Sequence, residues 1–381
     1  MTFRKTLFWT HLIAGVLSAI VIVMLSVTGV LLTYDRQIKD WADHRYYDVA
    51  AVDEIRLTVD ELLLAAYAAD ATPTAVIMQA NPEKLPMLQV GRRETAYVHP
   101  YTGEILGRGN ESVRGFFSTI TRWHRWFDID GEGRAAARAI TGAANLILLF
   151  LIVTGLYLWL PPVYRWAVVK PRLAFNQKVN NAKARDYNWH HVFGFWSLIP
   201  LFFIVASGLT LSYTWSDKVV YFLAGDQLPA TGDAAPAPRQ GGNREMTFDP
   251  QHALSLQDHF EFAAAQSDNW RRIDVLVPGD GAPTINVVID EGTGGEPLKK
   301  RTLVLHRNSG EIVRTESFAD RTPGSKVLGY FRWLHTGEAL GIAGQTVAGL
   351  VSAFAVLMAW TGMALSWRRL VSPLLRRRRK A

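Results

Sequence analysis

Four stretches of the chain contain no Asp, Glu, Lys or Arg: Thr6–Tyr34, Ala139–Tyr164, Asn188–Ser216 and Ala339–Trp367. At ~1.5 Å of rise per residue, a helix needs about 20 apolar residues to cross the hydrocarbon of a bilayer, and each stretch is longer than that. One such run suits the buried helix of a soluble protein, but four do not. The expectation is an α-helical membrane protein, a four-helix bundle with spans at 7–34, 139–160, 190–215 and 342–367. The first run follows Arg4-Lys5 as a signal peptide would. Its apolar part exceeds the usual h-region of roughly 7–15 residues and no small-residue cleavage site follows, so it reads as a retained helix.

Lys and Arg in the short segments set the orientation. They precede the first span at Arg4 and Lys5, and fill a loop at 161–188 with Arg165, Lys170, Arg172, Lys178, Lys183 and Arg185. They return in the tail at 368–381 with Arg368, Arg369, Arg376 to Arg379 and Lys380. These segments, and both termini, are expected in the cytoplasm. The long insertions at 36–115 and 217–326 then lie outside, each followed by an interfacial stretch, at 116–127 and 327–340. Membrane anchoring accounts for the net charge of +7, so no nucleic-acid site is read into it. The absence of cysteine excludes disulfides, iron–sulfur clusters, thiolate ligation and covalent c-type haem.

The two halves repeat. Ser26-Val27-Thr28-Gly29 leading to Tyr34 matches Ala206-Ser207-Gly208 leading to Tyr213, and this alignment puts His11 on His190 and Gly15 on Gly194. In the second and fourth spans Thr154-Gly155 answers Thr361-Gly362. Duplication predicts pseudo-symmetry about an axis along the membrane normal. The insertions repeat too, and are expected to form two α+β domains. In the first, a helix at Leu57–Ala69 precedes strands at Ala75–Gln79, Met87–Val90 and Thr95–His99. In the second, a helix at Asp258–Gln266 precedes strands at Ile273–Val277, Thr284–Ile289 and Arg301–Leu305. Matched turns follow His99 and His306. Pro229–Asn243, rich in Ala, Pro and Gly, reads as a linker.

Of ten histidines, four sit at or beside span ends as two matched pairs: His11 with His190, and His124 with His335. One such histidine is ordinarily a snorkelling or hydrogen-bonded residue, but two symmetric pairs at two depths point to ligation. Two neutral imidazoles from facing helices saturate the axial positions of a haem iron and leave no open site, which favours electron transfer. Glycine one turn on, at Gly15 and Gly194, removes a side chain that would meet a porphyrin face, although small residues also serve helix packing. Trp9, Trp189, Phe193, Trp196, Trp123, Trp126, Phe331 and Trp333 are expected to wall the macrocycle. Bare zinc is disfavoured, since each layer offers two ligands. His191 stands as the alternative to His190. His44, His252 and His259 read as surface residues.

At these residues the chain resembles the PepSY-associated transmembrane family. His11-x-x-x-Gly15 with Thr28-Gly29, and His190 to Trp196 with Ser207-Gly208, are similar to its first and third helices. Trp123-His124 before Thr154-Gly155, and Leu334-His335 before Thr361-Gly362, are similar to its second and fourth. Tyr97 to Ile105 resembles the PepSY hairpin, where Asp is usual in place of His99, and the same departure recurs at His306. The family includes bacterial inner-membrane proteins associated with siderophore uptake, among them FoxB-type siderophore reductases carrying two b-type haems. The resemblance therefore implies electron transfer across the inner membrane to periplasmic ferric siderophore, with two haem b ligated by His11, His190, His124 and His335. On that reading the outer domains form a vestibule over the second haem. The chain has no nucleotide-binding fingerprint, so a quinol or a separate cytoplasmic reductase must donate the electrons. Two other functions compete. One is a signalling or protease-modulating PepSY protein without redox activity, which leaves the histidine pairs unused. The other is an iron or haem transporter, which lacks charged or broken segments within its spans.

His124 poses a geometric difficulty, because it stands 15 residues before Ala139. One continuous helix would lift it ~22 Å from the bilayer, so the segment 128–133 must break the helix and fold the interfacial stretch back.

Overall fold

A computed structural model describes residues 2–47, 49, 55–91, 94–179, 181–229 and 248–378. The linker from 230 onward, and Arg379 and Lys380 of the basic tail, lie outside the described residues. In chain order the elements of the first half are α1 (Phe3–Leu32), α2 (Asp35–Tyr46), α3 (Val59–Ala68), β1 (Ala75–Gln79), β2 (Met87–Val90), β3 (Glu94–Val98), β4 (Ile105–Gly107), α4 (Glu111–Trp126) and α5 (Gly133–Trp159). After α6 (Trp166–Leu173) the second half follows with α7 (Ala182–Ser212), α8 (Thr214–Leu223), α9 (Leu256–Ala264), β5 (Arg272–Leu276), β6 (Thr284–Asp290), β7 (Lys300–His306), β8 (Ile312–Ser317), α10 (Pro323–Thr336) and α11 (Gly341–Leu370). The chain divides into two units. One holds residues 1–35, 117–220 and 330–381, and the other holds 36–116 and 221–329.

In the first unit, α1, α5, α7 and α11 are long and apolar enough to cross a membrane. They pack as a ring, α1 against α5 and α11, α7 against the same two, so α1 faces α7 diagonally. The bundle interior is thin, centred on Ile152, Leu201, Val205, Val351 and Ala355. Leu17, Ile20 and Ile199 point outward at 78%, 81% and 69% exposure, as suits helices whose other faces meet lipid. The last carbonyls of α5 have no helical partner and are satisfied by arginine. Arg4 donates to Leu158 O and Leu160 O at 2.8 and 2.9 Å, and Arg172 to Trp159 O. Asp186, buried near the start of α7, accepts from Arg185 at 3.0 Å and from Arg368 of α11 at 2.5 Å.

The break that His124 requires lies where it was expected. α4 ends at Trp126, and Phe127 and Asp128 both take left-handed backbone, at φ 56° and 58°. Such a pair is strained for non-glycine residues, and Asp128 is fixed there by its ion pair to Arg122. The reversal lets Thr141 Oγ, two turns into α5, donate to Arg125 O at 2.9 Å. The matching reversal from α10 into α11 uses Gly337 at φ 77°, where a Cβ would collide with the backbone of Gly344.

The second unit departs from the expectation of two separate domains. Its strands form one antiparallel sheet in the order β4-β3-β2-β1-β5-β6-β7-β8. The two four-stranded copies join through β1 and β5, with Ala75 opposite Leu276 and Gln79 opposite Arg272. Each copy is too small to bury a good core alone, and together they share one, running from Val76, Leu88 and Val98 to Val275, Ile285 and Leu305 beneath α3 and α9. The helices start with matched capping boxes, Thr58–Glu61 and Ser255–Asp258. They also cap each other: Asp60 accepts from Leu256 N and Gln257 N at 3.0 and 2.8 Å, and Gln257 accepts from Val59 N at 2.9 Å. The edge strands β4 and β8 and the short helices α2 and α8 were not expected from sequence.

Candidate cofactor site

His11 lies on α1 with its Nδ1 2.8 Å from Oγ of Thr154 on α5. The Thr154 hydroxyl already donates to Phe150 O, one turn back, at 2.7 Å. Its proton is committed, so toward His11 it must accept, and Nδ1 of His11 must carry the hydrogen. The same logic holds at His124, whose Nδ1 is 2.8 Å from Thr28 Oγ, while that hydroxyl donates to Met24 O at 2.7 Å. Carbonyl oxygens make the case directly for the other two, because a carbonyl only accepts. His190 Nδ1 donates to Met358 O at 3.1 Å and Thr361 Oγ at 3.0 Å, and His335 Nδ1 donates to Ile204 O at 2.8 Å. All four rings are therefore held as the Nδ1–H tautomer. Nε2 keeps its lone pair, which is the state a metal requires.

Glycines stand directly beside these rings. A Cβ on Gly155 would be 3.4 Å from Cε1 of His11, and one on Gly362 would be 3.4 Å from Cε1 of His190. On Gly208 it would be 3.1 Å from Cε1 of His335, and on Gly29 it would be 3.9 Å from Cε1 of His124. Each hydroxyl–glycine pair thus seats one histidine, the hydroxyl or a nearby carbonyl taking the Nδ1 proton and the glycine leaving room for the ring. In the sequence these pairs served only to align the repeat. Their fourfold recurrence, at 28–29, 154–155, 207–208 and 361–362, was the signal available for their role. The polar neighbours Asn145 and Ser352, at matched positions of α5 and α11, were also missed. A Cβ on Gly208 would meet Asn145 Nδ2 at 3.0 Å, and one on Gly29 would meet Ser352 Oγ at 3.4 Å.

The structure brings the four histidines together two by two. His11 and His190 line one cavity of about 880 Å³ within the bundle. The rings of His124 and His335 lie edge to face, with centroids 6.1 Å apart and planes at 61°. The two layers are 17 residues apart along α1, from His11 to Thr28, or ~25 Å. Gly15 and Gly194 border the cavity, where added Cβ atoms would make only ordinary contacts, at 3.9 Å to Leu151 and 3.6 Å to Met358. His191 also borders it, with Nδ1 likewise donating to a carbonyl, that of Tyr187 in its own helix, and its ring tilted against the Tyr187 ring.

The aromatic wall differs from expectation. Phe8, Trp159, Phe195 and Tyr187 line the cavity, whereas Trp9, Trp189, Phe193 and Trp196 do not. Trp196 instead is 62% exposed and donates to Leu173 O. Trp126 is buried under the guanidinium of Arg134.

His99 and His306 form no joint site. β1 and β5 are antiparallel, so the matched turns lie at opposite ends of the sheet. Each imidazole does what an aspartate does in an Asx-turn. His99 Nδ1 accepts from Thr102 N at 3.2 Å, and His306 Nδ1 accepts from Asn308 N at 3.3 Å. The departure from Asp is thus a structural substitution. His259, expected at the surface, is 1% exposed and donates to Ser255 O. In the same unit, burial pushes the Tyr97 hydroxyl well above the usual phenol range, and it donates to buried Asp43, which also pairs with Arg114.

The family model described as the PepSY-associated TM region matches residues 8–369. The chain belongs to that family. With the four long apolar helices, this makes the PepSY-associated chain a membrane protein. Among curated proteins, none matches this PepSY-associated chain.

Proposed function

We propose that the chain is an inner-membrane di-haem b oxidoreductase, of the FoxB siderophore-reductase type, that passes electrons across the membrane to periplasmic ferric siderophore. The observation that carries this reading is the set of four histidines, each fixed as the Nδ1–H tautomer and brought together as two pairs. His124 and His335 stand with ring centroids 6.1 Å apart, close enough that both imidazoles would hold one metal centre. The 880 Å³ cavity at His11 and His190 falls in the range of small-molecule sites, roughly 300–1,000 Å³, and no carboxylate lines it. An apolar slot between two neutral imidazoles suits a porphyrin and not a bare cation.

In this reading His11 and His190 would hold one haem and His124 and His335 the other. Thr154, Thr28, Met358 O with Thr361, and Ile204 O keep the proton on each Nδ1 and fix the ring orientation. Gly155, Gly362, Gly208 and Gly29 let the rings seat against the neighbouring helices. Gly15 and Gly194 border the slot that receives the macrocycle. When bound, haem would supply reversible one-electron transfer. Each ferric ion takes one electron and becomes Fe(II), which hard oxygen chelators hold less tightly. A quinol, giving two electrons and two protons, or a separate cytoplasmic reductase supplies them. No general acid or base is needed. The basic segments around Arg4, Arg172 and Arg368 place the termini in the cytoplasm on this account.

The test is anaerobic. The purified chain is reduced, mixed with a ferric hydroxamate siderophore, and followed by its Soret and α bands while Fe(II) is trapped by a chromogenic chelator. Reoxidation matched one-for-one by Fe(II) supports the reading. Reduced haem that the ferric chelate leaves unchanged removes the substrate assignment.

A further inference from the structure

The cavity at His11 and His190 has an uneven lining. Its depth is apolar, with Leu148, Leu151, Leu198 and Leu201, whereas the end at which α1 and α7 begin carries six cations and no acid. Those cations are Arg4, Lys5, Arg172, Lys183, Arg368 and Arg369. Membrane anchoring explains cations at this end of the bundle, but not their convergence on one cavity, since Arg165, Lys170 and Lys178 of the same loop stay off it.

Two of the six share a further feature. Arg4 is seven residues before His11, and Lys183 is seven residues before His190. Seven residues make almost two helical turns, so each cation lies on the same helix face as its histidine, ~10.5 Å nearer the helix start. α1 and α7 face each other diagonally, so the two cations flank the open end of the slot as the two histidines flank its middle. Lys183 has no acidic partner among the described residues. Arg4 uses Nη2 on the carbonyls of Leu158 and Leu160 and lies 5.9 Å from the Tyr157 ring centroid, while its Nε and Nη1 make no hydrogen bond among the described residues. Arg368, by contrast, is engaged by Asp186, and Arg369 lies over the rings of Phe8 and Trp9. The positions seven residues before His124 and His335 are Phe117 and Leu328, so the second pair lacks this device.

We propose that Arg4 and Lys183 form a dicarboxylate subsite that binds the two propionates of the porphyrin held between His11 and His190. The inference rests on the haem reading above. It orients the macrocycle with its carboxylate edge toward the start of α1 and α7. Charge-assisted bonds from a guanidinium and an ammonium to carboxylates are the strong ones, and here they sit at the margin of an apolar slot.

The experiment compares haem b with its dimethyl ester, in which both carboxylates are blocked. Full-length chain is produced without haem and titrated in detergent with each compound, following the Soret band. A background carrying His124→Ala and His335→Ala isolates the first pair, and the series is repeated on the unaltered chain. The expected result is binding of haem at least about tenfold tighter than the diester, the size of one lost charge-assisted bond. Arg4→Gln with Lys183→Gln should remove that preference, and Lys178→Gln should keep it. A diester that binds as tightly as haem, or a preference that survives in the double variant, overturns the proposal. A parallel arm measures binding to phosphatidylglycerol and phosphatidylcholine vesicles. If the double variant loses only phosphatidylglycerol binding and keeps its preference for haem, the cations serve lipid phosphate and the proposal is wrong. If neither compound binds at all, the haem reading itself falls, and this subsite with it.

Discussion

Nδ1 of His11 lies 2.8 Å from Oγ of Thr154, on a hydroxyl whose own proton is spent on Phe150 O at 2.7 Å. A threonine one turn from a helix end thus decides which nitrogen of a histidine on another helix is free to coordinate. The same relation joins Thr28 to His124.

Replacing Thr154 or Thr28 by Val keeps the shape and removes the acceptor. Outer-shell partners of this kind are worth roughly 10–100-fold in affinity for the group that the ligand holds. Haem titration of Thr154→Val and Thr28→Val should show a loss of that order, and Thr→Ser should restore most of it.

The glycines give a graded series. An added methyl at Gly208 meets Asn145 and His335 at 3.0 and 3.1 Å, at Gly155 or Gly362 it meets an imidazole ring at 3.4 Å, and at Gly29 it meets the rotatable Ser352 hydroxyl at 3.4 Å and the His124 ring only at 3.9 Å. Overpacking costs about 1–3 kcal/mol, while Gly→Ala in a helix returns up to about 1 kcal/mol. Thermal unfolding of the four alanine variants should rank Gly208 as most damaging and Gly29 as neutral or stabilising. A flat series would mean that the rings are not confined by these positions.

His99 and His306 act as acceptors in their turns, so an aspartate should replace either without loss. Alanine leaves the turn amides of Thr102 or Asn308 unpaired, at a cost of about 1 kcal/mol. Thermal melts of His99→Asp and His99→Ala distinguish the two. Iron reduction should be unchanged in both if neither imidazole touches substrate.

Acid should loosen the second unit at its helix starts. Bonding to Thr58 holds the Glu61 carboxyl below its ordinary range, and bonding to Ser255 does the same for Asp258. A carboxyl whose folded pKa is depressed contributes stability that is present above its unfolded value, near 4, and lost as pH falls through the folded value. Hydrogen-exchange protection factors in the first turns of α3 and α9 should therefore fall below about pH 4 and stay constant above pH 5.

Much of this was legible in the sequence, for identifiable reasons. A run without charge is long-lived evidence of a span, and β1 and β2 fall on the residues where alternation placed them because both faces of those strands are constrained. The joining of the two copies through Ala75–Gln79 and Arg272–Leu276 was not legible, because edge pairing between repeats leaves no local pattern. α9 begins two residues before the expected Asp258 because Ser255, and not a later residue, is its cap. At the site, the four histidines stood out by symmetry. The hydroxyls that fix their protons did not, since a Thr-Gly pair in an apolar helix reads equally well as packing.

The central claim is two haems on two histidine pairs, and haem content tests it most directly. Purified chain, extracted with pyridine and reduced, should give two haem b per polypeptide. Changing His11 and His190 to Ala should leave one, changing His124 and His335 to Ala should leave the other, and His191→Ala should leave both. A purified chain without a Soret band, or with haem content untouched by the loss of both His11 and His190, contradicts the account.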